Sequence, residues 1–188
     1  MFETLVVKML ALAGIFFPGV NPNAALSQPV IELHEQRIAV SCFVSRPLSD
    51  DLANVIESGT EVNLRFVCRL RLSDGTPTSA ADTVVTHRIA KNLATDTYEI
   101  QVGNRSIVSS QITEYSVFFR LETASLWPIE ALNATDRYYV DVSAELEPIY
   151  IHATGRTYDL MALWNFKTPR SRSERFTKPT LERRQVPE

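Results

Sequence analysis

The chain is 188 residues long, 45% hydrophobic and 22% charged, which suits one globular domain with a sizeable core. Its net charge of −3 is unevenly spread: from Lys167 onward seven Lys/Arg oppose three Asp/Glu, giving +4 and leaving −7 on residues 1–166. An acidic body argues against nucleic-acid binding, which draws affinity from clustered Lys and Arg, and six glycines leave little material for a phosphate-cradling loop.

Residues 1–25 read as a signal peptide. Lys8 precedes the apolar run "MLALAGIFFPGV", and small residues follow in "NPNAALSQP", with cleavage expected around Ala24 or Ala25. The run is too short to span a bilayer, which needs about 20 residues. Glu3 offsets Lys8, and Asn23 is unusual at the third position before a cut at Ala25; an uncleaved anchor or a buried core segment is the alternative. The expectation is an exported protein, periplasmic or in the cell envelope.

Next, "VIELHEQRIAVSCFVS" gives two alternating runs around Glu35 and Gln36, a hairpin. In "RPLSDDLANVIESG" the period changes to that of a short amphipathic helix. Ser49 caps it, Asp50 and Asp51 suit its first turn, Leu52, Val55 and Ile56 share a face, and Gly59 stops it. Residues 61–72 alternate almost strictly up to the turn "SDGTP", so a half-buried strand is predicted there. Further strands are predicted across "TVVTHRIAKN" and "TYEIQV", the latter turning at "GNRS" into a hairpin edge.

The following segment supports two readings. Ile112, Tyr115 and Phe119 fit a helix capped by Ser110 and ended by Pro128, which is the preferred reading; Val117, Phe119 and Leu121 also fit a strand. "DRYYVDVSAELEPIYI" is a long alternator with Tyr138, Val140, Val142, Ala144 and Leu146 inward. "TYDLMALWNF" is read as a last strand, although Leu160, Leu163 and Trp164 also fit a helix. Residues 169–188 are polar and Pro-punctuated, and are expected to form a flexible basic tail after a single β-rich domain at 30–168. The expected class is mainly β: an antiparallel sandwich, immunoglobulin-like or a curved sheet, carrying one or two short helices.

Arg65, Arg69 and Arg71 fall on the outward side of the 61–72 strand, and Tyr139, Asp141, Ser143, Glu145 and Glu147 on the outward side of the 138–149 strand. The expectation is that these strands are neighbours with compensating, solvated faces, rather than that the arginines form an anion-binding stripe. Cys42 and Cys68 both face inward; they could pair as a disulfide in an oxidising compartment or stay as two buried free thiols. His34, His87 and His152 are scattered singly, without metal-ligand spacing, and no cofactor site is expected. No nucleophile elbow or Cys–His pair is present, so an enzyme is not expected, and the sequons at Asn104 and Asn133 are weak signals.

Two features suggest interaction. If the last strand is a strand, Met161 and Leu163 point outward beside Trp164 and seek cover, either from the tail or a helix or from a partner. In the tail, Arg170, Arg172, Arg175, Lys178, Arg183 and Arg184 could attract an acidic partner or touch an anionic membrane surface peripherally.

The succession "LSDDLANVIESGTEVNLRFVCRLRL", "SLWPIEAL", "YYVDVSAELEPIY" and "LWNF" resembles a family of exported bacterial domains of unknown function, the family numbered 4390, over residues 30–168. That resemblance implies a bacterial envelope protein and carries over no functional residues. The first functional expectation is therefore a non-enzymatic module that binds another envelope protein. The alternative is a carrier of a lipid or small apolar ligand in a cavity lined by Phe66, Phe118, Phe119, Trp127 and Trp164.

Overall fold

The computed structural model describes residues 24–110, 115–151 and 155–183. The expected leader up to Asn23, together with Ile112, His152 and Arg184, lies outside the described residues. The chain enters through a two-residue strand β1 (Ala25–Leu26) and a hairpin of β2 (Val30–His34) and β3 (Arg37–Ser45). Glu35 and Gln36 form its turn with φ of 48° and 60°, the left-handed pair that a tight two-residue hairpin requires. Helix α1 (Asp50–Glu57) follows, and Ser49 Oγ accepts the Leu52 N–H at 3.2 Å as its cap. Leu52, Val55 and Ile56 are its buried face, and Gly59, at φ 81°, turns the chain out of it.

Strands β4 (Val62–Leu72), β5 (Thr83–Asn92), β6 (Thr97–Val102) and β7 (Arg105–Ser109) form a meander. After a single helical turn α2 (Tyr115–Phe118) come β8 (Arg120–Pro128), a 3-10 turn at Ile129–Ala131 and β9 (Tyr138–Leu146). The small hairpin β10 (Ile149–Ile151) and β11 (Arg156–Tyr158), a 3-10 turn at Leu160–Trp164, β12 (Arg170–Arg172) and α3 (Lys178–Arg183) complete the order.

Among the described residues, two antiparallel sheets make the body, with the β10–β11 hairpin as a separate two-stranded sheet. The large one runs β12-β9-β4-β5-β6-β7; in the small one β1 and β2 share one edge of β3 and β8 takes the other. Their inner faces make one core, in which Ile38, Val40 and Cys42 from β3 meet Phe66, Cys68 and Leu70 from β4 and Val140 and Val142 from β9. Each of these is an inward member of a period-two run, so the alternation read along the chain is the burial pattern of a sandwich. The mainly β, antiparallel class is thus the observed one, with three short α-helices among the described residues where one or two were expected. No helix among the described residues is long and apolar enough to cross a membrane.

Three expectations need correction. Among its described residues, the segment expected to be helical up to Pro128 is helical only at Tyr115–Phe118 and becomes strand β8 from Arg120. Its alternation is hidden because β8 shifts register against β3 twice, between Ile38 and Ala39 and between Val40 and Cys42. The expected last strand is β only at Arg156–Tyr158 and then a 3-10 turn, where Asp159 Oδ1 accepts the Met161 N–H at 2.9 Å. Asn165 and Phe166, at φ 54° and 55°, prevent an extended continuation.

The expected flexible tail is part of the body. β12 pairs with β9 from Arg170↔Ser143 to Arg172↔Asp141, and Tyr138 and Phe176 exchange backbone hydrogen bonds of 2.8 and 2.9 Å. Phe176 is buried and Leu181 is fully so, so the folded body reaches past residue 168 to at least Arg183. Two apolar anchors among polar residues suffice to pin a segment whose average composition reads as solvated.

Candidate interaction surfaces

The outer face of the large sheet carries the arginines. β4 and β9 are neighbours, as expected, with Arg65 opposite Glu145, Arg69 opposite Asp141 and Arg71 opposite Tyr139. The ion pairs do not follow that register. Arg69 Nε lies 3.2 Å and Arg71 Nη1 3.1 Å from the one Asp82 carboxylate, which the β4–β5 connection brings over β4. Arg65 reaches Glu147 at 3.6 Å, and Asp141 is met by Arg172 at 3.6 Å. Partly exposed pairs of this kind contribute about 0.2–1 kcal/mol each, so the face is charge-compensated but not strongly bound together.

On the inner face, Cys42 and Cys68 are free thiols, so the expected alternative of a disulfide is not the observed state. Burial pushes both up to about 12, and the nearby Cys42 adds to the rise at Cys68. They are small core hydrophobes and poor nucleophiles. His87 is fully buried on β5, its ring edge-on to Phe66 at 5.1 Å. Its Nδ1 lies 2.8 Å from the Phe118 carbonyl, which can only accept, so Nδ1 bears the proton and Nε2 is left as a buried acceptor without a partner among the described residues. Desolvation lowers its pKa, against the Phe118 hydrogen bond and the Glu122 charge, which raise it. Among the described residues no cluster of His, Cys, Asp or Glu is placed to hold a metal ion.

The residues expected at an apolar patch are covered. Trp164 is buried and its Nε1 donates to the Pro47 carbonyl at 2.9 Å. Met161 and Leu163 are partly buried against the core, and Met161 Sδ accepts the Leu146 N–H at 3.2 Å. Turning the segment into a 3-10 coil wraps it around the sandwich end, which removes the outward parity a strand would have had. Arg170, Arg172 and Arg175 are exposed, held on the β12 edge and the connection after it.

A hollow flanked by exposed apolar side chains lies elsewhere, on the outer face of the small sheet. There a groove of about 510 Å³ is lined by Val30, Ser41, Phe43, Arg120, Leu121 and Thr123, with others. Phe43 is 48% and Val30 55% exposed. At the groove floor β8 bulges: Thr123 takes φ 42°, a left-handed conformation costly for a β-branched residue, and its N–H donates to Ser41 Oγ at 2.9 Å. The sequence held one signal for this face. In "IAVSCFVS" Phe43 sits at the outward parity between inward Cys42 and Val44, a large apolar side chain on the wet side. Thr123 had no such signal, because strain at a bulge leaves no compositional trace.

Comparison of the chain with protein-family models, curated proteins and solved structures found no match.

Proposed function

We propose that the chain is an exported, non-enzymatic interaction module of a bacterial envelope, and that another envelope protein docks on the outer face of its small sheet. The observation that carries this reading is the pairing of two exposed apolar side chains, Phe43 and Val30, with a strained bulge at Thr123 in a single groove. Large apolar side chains left wet beside a retained strain mark a surface shaped for a partner. The polar rim, where Arg120 and Glu122 pair at 3.4 Å beside Ser41, gives the partner hydrogen-bonding groups to match. The leader pattern and the resemblance over residues 30–168 support export.

The carrier reading gains no support from the five aromatics it relied on. Phe66, Phe118, Phe119, Trp127 and Trp164 are all buried among core neighbours, and Trp127 Nε1 donates to the Ala81 carbonyl at 2.9 Å. The test of the interaction reading combines cell fractionation with in-cell cross-linking of the wild-type chain and of Phe43→Arg. Envelope localisation and a cross-linked partner lost in the variant, at unchanged Tm, are expected. A cytosolic wild type, or the same partner recovered with Phe43→Arg, overturns it.

A further inference from the structure

We propose that the hollow between the β4–β5 turn and the β12–α3 connection is a carboxylate site, which takes an acidic side chain of a protein partner. It rests on the interaction reading only in assigning that carboxylate to a protein. The hollow measures about 320 Å³; Ser73, Asp74 and Gly75 form one wall, Arg172, Ser173 and Arg175 the other, and Tyr139 the floor.

Both walls are held by backbone. On one side the Ser73 N–H donates to the Arg137 carbonyl and the Gly75 N–H to the Leu72 carbonyl, each at 2.8 Å. On the other, the Ser173 N–H donates to the Val140 carbonyl and Ser173 Oγ accepts the Val140 N–H, each at 2.9 Å. The two arginines, three positions apart, are therefore fixed at their Cα atoms even though their side chains reach solvent, which lowers the ordering cost of closing on a ligand.

The floor is the second observation. The Tyr139 ring is buried, while its Oη, unpaired among the described residues, reaches the solvent of the hollow. A Cβ built on Gly75 would stand 3.9 Å from that oxygen, which places the phenol tip at the turn and in the hollow. A phenol O–H held at the floor of a hollow and free of protein partners is open to donate to a ligand there. The Arg172 guanidinium lies over the same ring at 5.2 Å, with Asp141 3.6 Å from its Nε. Arg175 has no ion pair among the described residues.

Charge selects the ligand. Arg172 and Arg175 are the cations of the lining and Asp74 its anion; Asp74 Oδ1 is turned back to accept the Thr76 N–H at 2.8 Å. Asp141, beside the hollow, pairs with Arg172, so Arg175 is the guanidinium left without an ion partner among the described residues, which matches one carboxylate and opposes less of the charge on a phosphate dianion. A guanidinium fork and a phenol O–H then fill about three of the roughly four acceptor positions of a carboxylate.

The test is an NMR titration of the full-length protein at low salt with the peptide acetyl-Ala-Glu-Ala-amide. Its Glu→Gln counterpart, inorganic phosphate and phosphatidylglycerol vesicles serve as controls. Saturable shifts at Tyr139 and residues 172–175 with the glutamate peptide are expected, absent with the glutamine peptide and weaker with phosphate. Arg175→Ala is expected to weaken binding tenfold or more at unchanged Tm, and Tyr139→Phe several-fold. No saturable shift, equal response to both peptides, tighter binding of phosphate, or binding to vesicles alone overturns the site. Partner capture at Phe43 retained under any of those results sinks this site while leaving the docking groove standing.

Discussion

The β4–β9 and β3–β8 pairings both lie at the centre of their sheets' shared core, yet they are built differently. β4 and β9 run in unbroken register from Leu64↔Leu146 to Leu72↔Tyr138. β3 and β8 slip twice over a shorter ladder and hold Thr123 at φ 42°. The regular pair carries charge-compensated arginines outside, where water and Asp82 satisfy them. The irregular pair carries Phe43 and a hollow outside. The regular ladder goes with a charge-compensated outer face and the irregular one with an apolar hollow, because a bulge gives up ladder hydrogen bonds and re-aims side chains.

The largest effects should come from the scaffold. Phe66→Ala, which empties a fully buried site on β4, is expected to cost about 3–5 kcal/mol in chemical denaturation, whereas Phe43→Ala on β3 should stay within about 0.5 kcal/mol. Equal losses at the two positions would erase the distinction. Leu181→Ala is expected to cost about 2–4 kcal/mol, because α3 is anchored through that fully buried side chain. A near-neutral result would return residues 169–188 to a loose tail.

His87 sharpens the comparison through pH. It reaches from β5 of the large sheet to the Phe118 carbonyl, just before β8. Its folded pKa is lowered by desolvation, so the unfolded chain binds its proton first. Stability from the neutral ring is complete above the unfolded value of about 6.5 and is lost as pH falls below it, at up to about 1.4 kcal/mol per pH unit. Urea midpoints measured from pH 7.5 to 5.0 should fall in the wild type and fall less in His87→Phe. Parallel profiles would remove His87 as the cause.

The smallest effect expected is a gain. Thr123→Gly removes the left-handed strain of a β-branched residue, worth about 1–2 kcal/mol, against roughly 1 kcal/mol of added chain entropy. The net is therefore a stabilisation between zero and about 1 kcal/mol, read as a small rise in Tm and urea midpoint, with partner cross-linking weakened. Destabilisation would mean that Thr123 is retained for the fold and not for the groove.

The same contrast explains what the sequence could show. α1 was legible to its cap because Ser49, Asp50 and the Leu52–Val55–Ile56 face are local signals. β4 and β9 were legible because only Val67 and Tyr139 depart from their alternation, and their adjacency followed from opposite outward charges. β8 was not, since two register shifts break its period, and the 3-10 turn at Leu160–Trp164 fits a strand and a helix equally on paper. The anchoring of the closing segment rests on Phe176 and Leu181 meeting a core that no local window contains. Of the candidate surfaces, Phe43 could be read by parity and Tyr139 by its outward position, but neither hollow could.

Site-specific photo-cross-linking in cells tests the contrast most directly, with the cross-linker placed at Phe43 on the small sheet or at Val84, a comparably exposed apolar position on the large one. The expected result is one discrete adduct at position 43, abolished by Arg120→Glu with Glu122→Arg, and none at position 84. Labelling of similar yield and mass at both positions, or at position 84 alone, would contradict the assignment of docking to the irregular sheet.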